Sequence, residues 1–151
     1  MPEEFKPIVR IAGVDLKGDK RLAYALARLK GIGVNTAIGL ARKLGLDPFI
    51  KLGSLSESDI KKVDSAVGEL HKLGFPGWFL NRPRDPETGK DLHLIGSELI
   101  LKVKGDIELM KKIKCWKGTR HALGLKVRGQ RTRTTGRTGV TVGVTKGAKK
   151  G

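Results

Sequence analysis

The chain has 151 residues, with 31 Lys and Arg against 15 Asp and Glu and a formal net charge of +16. A length of this order suits one domain with tails, and 38% hydrophobic with 5% aromatic residues allows a small core but not a large enzyme cleft. The charge excess points to a polyanion, nucleic acid before membrane, and the single cysteine excludes an internal disulfide.

In chain order, Pro7-Ile-Val-Arg-Ile-Ala-Gly-Val14 alternates loosely and is rich in β-branched residues, which predicts a short extended arm. From Asp19, Leu22, Leu26 and Leu29 recur at helical spacing among alanines, and a first helix is expected to stop at Lys30-Gly31-Ile32-Gly33. A second helix is expected to open with Asn35 or Thr36 as its cap, to present Ile38, Ala41 and Leu44 on one face, and to end at Gly45. Asp47-Pro48 is a turn. Ser56-Glu57-Ser58-Asp59 supplies a cap and a first-turn acid for a third helix, with Ile60, Val63, Val67 and Leu70 on one stripe and Gly74 as its stop.

Residues 74–96, with Pro76, Pro83 and Pro86, read as a loop or insertion. A longer helix is expected from about Ser97 to about Lys114, with Ile100, Val103, Ile107 and Met110 in register. Gly105 inside it costs about 1 kcal/mol relative to alanine and suggests a bend or close packing. With no strand pattern long enough for a sheet, the expected class is all-α.

Charge is unevenly placed. Residues 1–110 hold 18 basic and 15 acidic side chains, whereas residues 111–151 hold 13 basic and no acidic ones. Beyond Trp116 the chain is also dense in glycine and poor in apolar residues, so it cannot bury enough surface to offset the entropy of ordering. A helical body over 1–116 and an extended, basic, Gly-rich tail over 117–151, mobile until it meets a polyphosphate, are therefore expected. The start of the chain has neither the charge nor the apolar stretch of a secretory signal, and no apolar run approaches the ~20 residues of a membrane span. A cytoplasmic protein without a membrane partner is expected.

Two segments carry the functional signal. In the first, Gly31-Ile32-Gly33 reverses the chain between two helices. The unpartnered N–H groups of the second helix then form a docking point for a backbone phosphate. A tight hairpin with glycines for geometry alone is the other reading of those residues; the charge balance favours phosphate. In the second segment, Lys114 to Arg137, cations recur every two to four residues among hydroxyls and glycines. Arginine grips phosphate with paired donors, and glycine lets the backbone come close. Trp116 and His121 suit stacking on unpaired bases; Trp116 equally suits capping the apolar end of the last helix.

The run Lys117-Gly-Thr-Arg-His121, then Gly124-Leu125 and Val127-Arg-Gly-Gln-Arg-Thr132, followed by Thr134 and Arg137, resembles the small-subunit ribosomal protein family numbered thirteen in bacteria and eighteen in eukaryotes. Arg10-Ile-Ala-Gly-Val-Asp15 and Gly31-Ile-Gly33 fall where that family has its opening arm and hairpin. Trp78-Phe-Leu-Asn-Arg82 resembles its archaeal and eukaryotic branch. The resemblance implies a helix, two turns and a helix docked in the head of the small ribosomal subunit on its large RNA, with the tail running toward transfer RNA in the peptidyl site. It also implies a neighbouring head protein and bridges to the large subunit as partners. The RNA contacts it implies are Gly31, Gly33, Lys117, Arg120, His121, Lys126, Arg128, Gln130, Arg131, Thr132, Arg133 and Arg137. Lys146, Lys149 and Lys150 are candidates for transfer RNA from their terminal position.

Catalysis is not expected. His71, His93 and His121 are far apart in sequence, Cys115 has no second cysteine for a metal pair, and no P-loop or dinucleotide fingerprint occurs. The acid pairs Asp15/Asp19 and Asp85/Glu87 suit turns and caps. No metal or cofactor is expected. Helix-hairpin-helix segments also occur in DNA glycosylases, but this chain lacks a second domain for a base-flipping pocket. A nonspecific DNA-compacting protein is the remaining alternative, and it gives no reason for the Arg-His to Gly-Gln-Arg-Thr run.

Overall fold

The computed structural model describes residues 5–136. The element order is β1 (Ile8–Ile11), β2 (Val14–Lys17), α1 (Leu22–Leu26), α2 (Val34–Lys43), α3 (Glu57–Gly68), α4 (Gly96–Lys112) and α5 (Trp116–Ala122), with 3-10 turns at Leu52–Ser54, Leu70–Leu73 and Gly77–Phe79. By its contacts the chain falls into two compact units, and the boundary follows Lys102 inside α4.

The all-α expectation needs correction. The arm is an antiparallel hairpin in which Val9 pairs with Leu16 and Ile11 with Val14. Val9, Ile11 and Leu16 point into the core, so each four-residue strand contributes one apolar face. The link between them is Ala12-Gly13, both at positive φ (48° and 75°). Alanine resists that region, which is why no hairpin signal is visible in the sequence. Ala12 is held there by its N–H donating to the Asp64 carboxylate of α3 at 2.8 Å.

α1 is also shorter than its leucine spacing predicts. After Leu26 the hydrogen bonds tighten to three-residue spacing: Arg28 N–H donates to Ala25 and Leu29 N–H to Leu26. Its start is set from outside, since Leu22 and Ala23 donate to the carbonyls of Ile50 and Pro48. Leu22, Ala23, Ala25, Leu26 and Leu29 are all buried, so the segment is embedded on several sides and does not rest on one stripe.

α2 begins two or three residues earlier than expected, with Gly33 in place of Asn35 or Thr36 as its cap, and ends where Gly45 takes φ 72°. α3 follows the prediction closely at its start: the Ser56 hydroxyl accepts from Asp59 N–H at 3.1 Å. Its last turn is a separate 3-10 turn that brings Leu70 into the core before Gly74 stops it at φ 70°. The core of the first unit joins Val9, Ile11 and Leu16 to α1, Ile32, Ala37, Leu40, Ala41, Leu52, Leu55, Val63, Ala66 and Val67.

Residues 74–96 are more ordered than a loop. Arg82 and Leu92 exchange backbone hydrogen bonds, and Asn81 does the same for Leu94 with its side chain. The buried Asp85 carboxylate accepts from Arg82 Nε and from the Thr88 hydroxyl (2.9 Å) and N–H (3.2 Å), and these donors pull its pKa down to about 2. His93, also buried, accepts at Nδ1 from Asn81 N–H (3.3 Å), while its Nε2 makes no hydrogen bond of ordinary geometry among the described residues. Burial pushes this imidazole below its ordinary range; the Gly31 backbone opposes the shift and the charge on His71 reinforces it.

Both groups lower stability in acid, because the unfolded chain binds protons that the folded one refuses. Stability is therefore highest above the ordinary histidine value of 6.5 and declines as pH falls below it, through His93. A second decline sets in from 3.8 toward about 2 as Asp85 loses its charge. Urea melts across pH 7 to 3 check this: His93→Gln, which keeps an acceptor, is expected to flatten the upper limb only.

Candidate nucleic-acid interface

The two hairpin glycines divide their work. Gly31 has φ 101°, and a Cβ on it would lie 2.4 Å from the Leu94 carbonyl oxygen and 3.2 Å from Ile95 Cα. It lets residues 94–96 back onto the hairpin, where Gly96 N–H donates to the Lys30 carbonyl at 2.8 Å. Ile32 drops into the core at 4% exposure, as its position between the glycines suggests. Gly33 is exposed, with open space around its Cα, and it caps α2 without any side-chain hydrogen bond. Val34 and Asn35 are exposed and the first turn has no acid. The end of α2 thus presents N–H groups and the positive pole of its dipole to an anion.

The second unit forms the basic junction. Trp116–Ala122 is helical, so the expectation of an extended chain from residue 117 fails over α5. α4 closes at Lys114, which takes φ 56°, and Cys115 caps α5 with its sulfur, accepting from Gly118 N–H at 3.3 Å while donating to the Met110 carbonyl at 3.4 Å. A Cβ on Gly118 would meet that carbonyl oxygen at 2.1 Å, so glycine is what lets the two helices meet. This local set of caps and close approaches nucleates a turn that burial alone would not. Beyond the helix, Gly124 and Gly129 take positive φ, and residues 125–136 hold neither helix nor strand. Gly105 shows no close packing: nothing lies within 4 Å of a Cβ built there.

Lys117 and His121, four residues apart on α5, share one face. With Val127 and Arg128 they line a cleft of about 670 Å³ against Val103, Asp106, Ile107 and Met110 of α4. Arg120 is used differently: its guanidinium lies 5.6 Å over the Trp116 ring, and its Nε donates to the Lys126 carbonyl. Trp116 is 74% exposed and so caps no apolar helix end. Gln130 accepts the Arg128 N–H at 2.8 Å, which shapes the loop. Lys126, Arg131, Thr132 and Arg133 are exposed. Arg137, Lys146, Lys149 and Lys150 lie outside the described residues.

The structure thus brings Lys117, His121 and Arg128 together. It gives Arg120 and Gln130 local hydrogen bonds that periodicity does not reveal. Among the described residues no three His, Cys, Asp or Glu are grouped to hold a metal, and no helix is long and apolar enough to cross a membrane.

The family described as ribosomal protein S13/S18 matches residues 10–138. The chain belongs to the ribosomal protein S13/S18 family. It is 63% identical over 150 residues to small ribosomal subunit protein uS13 of Thermofilum pendens, covering 99% of this chain and 96% of that one. It is 62% identical to the protein of the same name from Pyrobaculum calidifontis over 146 residues, 97% and 95% of the two chains. That of Hyperthermus butylicus is 54% identical over 147 residues, 97% of each. These relatives are archaeal in type, as Trp78-Phe-Leu-Asn-Arg82 suggests. The S13/S18 family is one of structural ribosomal proteins and not of enzymes, which removes both the glycosylase and the DNA-compacting alternatives.

Proposed function

We propose that this S13/S18 protein is a structural constituent of the small ribosomal subunit, ribosome-bound in the cytoplasm, that holds ribosomal RNA of the subunit head through two surfaces. One is the exposed start of α2 at Gly33, which receives a backbone phosphate. The other is the junction and tail, with Lys117, Arg120, His121, Lys126, Arg128, Arg131, Thr132, Arg133 and Arg137 as its contacts. The observation that carries the reading is the absence of any acid among the 13 cations of residues 111–151. The shared face of Lys117 and His121, and the names of the archaeal relatives, support it.

In the finer reading, Lys146, Lys149 and Lys150 approach transfer RNA in the peptidyl site. The body contributes to bridges with the large subunit and to a contact with a neighbouring head protein. Gly31 supports the hairpin from behind and does not itself meet RNA, and Gln130 acts through the loop it shapes.

Binding of the whole chain to a transcript of small-subunit RNA is expected to weaken steeply with salt, each neutralised phosphate adding about −0.7 to −0.9 to the log–log slope. A slope near zero excludes the charge argument. In cell extract, sedimentation with small subunits should survive DNase and be lost after RNase; the reverse pattern points to DNA.

A further inference from the structure

Trp78 stands 82% exposed on the 3-10 turn Gly77–Phe79, in the segment 74–96 that the phosphate-binding surfaces leave unused. It is held rigidly. Phe79 meets the indole edge-on (centroids 5.9 Å apart, planes at 86°) and stacks on Phe75 (4.8 Å, 16°). Phe79 rests on α2 at Gly39, where a Cβ would come within 3.0 Å of its ring. One turn further along α2, Lys43 sets its ammonium 5.1 Å from the Phe75 ring centre and 3.5 Å from the Gly74 carbonyl. Asp91 is the carboxylate beside Gly77, and its Oδ1 accepts the Arg84 N–H.

This is a lone indole on an aromatic support, with the exposed Lys43 ammonium against the Phe75 ring of that support, and not a broad apolar patch of the kind a protein partner covers. It is mounted on the helix whose start offers N–H groups to phosphate: Gly33 and Gly39 are about 9 Å apart along the axis, within reach of a short single-stranded segment. Aromatic faces beside cations take unpaired bases and their phosphates.

We propose that Trp78 is a stacking platform for an unpaired base of ribosomal RNA, with Lys43 meeting an adjacent phosphate. The proposal rests on the RNA-binding reading above and adds a second mode of contact to it. The test uses the full chain carrying Trp116→Phe, so that Trp78 is its sole tryptophan, titrated with a transcript of the small-subunit RNA. Binding is expected to quench Trp78 fluorescence. In the same background Trp78→Ala is expected to weaken binding by about 5- to 150-fold with an unchanged salt slope, and Trp78→Phe to recover most of it. Lys43→Gln should instead lower the slope by about one phosphate.

Circular dichroism checks that each variant folds, which the exposure of Trp78 favours. Tight RNA binding by the Trp78→Ala chain, with no quenching in its parent, overturns the proposal and leaves the RNA reading intact. Absence of RNA binding by the unsubstituted chain overturns both.

Discussion

Removing residues 117–151 will leave the first unit folded and take away most of the affinity for RNA. The deleted segment carries ten of the 31 cations, while the buried apolar residues lie between Val9 and Leu80. Counting half of those ten as phosphate contacts, the log–log slope shrinks by about 4, and affinity near 0.1 M salt falls by on the order of 10³- to 10⁴-fold. Salt-series titrations of whole and shortened chains against one transcript measure this, and circular dichroism of the shortened chain reports the fold. An unfolded remainder would mean that the basic segment is structural. An undiminished slope would mean that the body alone carries the phosphate contacts.

Gly31→Ala is expected to cost about 3 kcal/mol, the largest effect of any single change in the hairpin. Two causes combine: a side chain at φ 101° costs about 1–3 kcal/mol, and overpacking against backbone adds about 1–3 kcal/mol. The atom in the way is the Leu94 carbonyl oxygen, which is tied down by Asn81 Nδ2 at 2.7 Å and cannot swing aside as a lysine tip would. Gly33→Ala provides the contrast. It has φ −94° and open space, so its cost should stay near or below 1 kcal/mol, as for other N-cap changes. Urea midpoints of the two variants separate them. Equal stabilities would show that residues 94–96 are free to withdraw and that the hairpin is not pinned from behind.

Side-chain spacing made much of this molecule legible. The stripe Val63, Val67 and Leu70, the Ser56 cap and the stops at Gly45 and Gly74 all follow from helical period and cap chemistry, which act within one or two turns. What escaped was decided by contacts that side-chain period does not encode, some of them between residues distant in sequence. Ala12 occupies a turn position it disfavours because Asp64 holds its N–H. The start of α1 is set by backbone bonds to Pro48 and Ile50, and α5 forms because Gly118 lets it close on Met110. The order within residues 74–96 was hidden for the same reason: proline marks a turn, but periodicity does not announce that Asp85, Arg82 and Thr88 will satisfy one another.

The candidate interface divides along the same line. Charge is additive along a chain and needs no fold to be counted, so the acid-free cationic stretch, the nucleic-acid class of partner and the family resemblance were all set by residue identity. Which cations share a face, which are tied to a neighbouring group and which hairpin glycine is open to an anion depend on approaches of a few ångströms that only the folded backbone sets. Lys117 and His121 meet Arg128 only once α5 is folded. Arg120 is drawn to Trp116 and Lys126, and Gly31 is closed off by Leu94 while Gly33 stays open. Those short distances are properties of the tertiary structure, because steric and hydrogen-bond energies change over tenths of an ångström, whereas the electrostatic reach that links sequence to partner extends over about 10 Å.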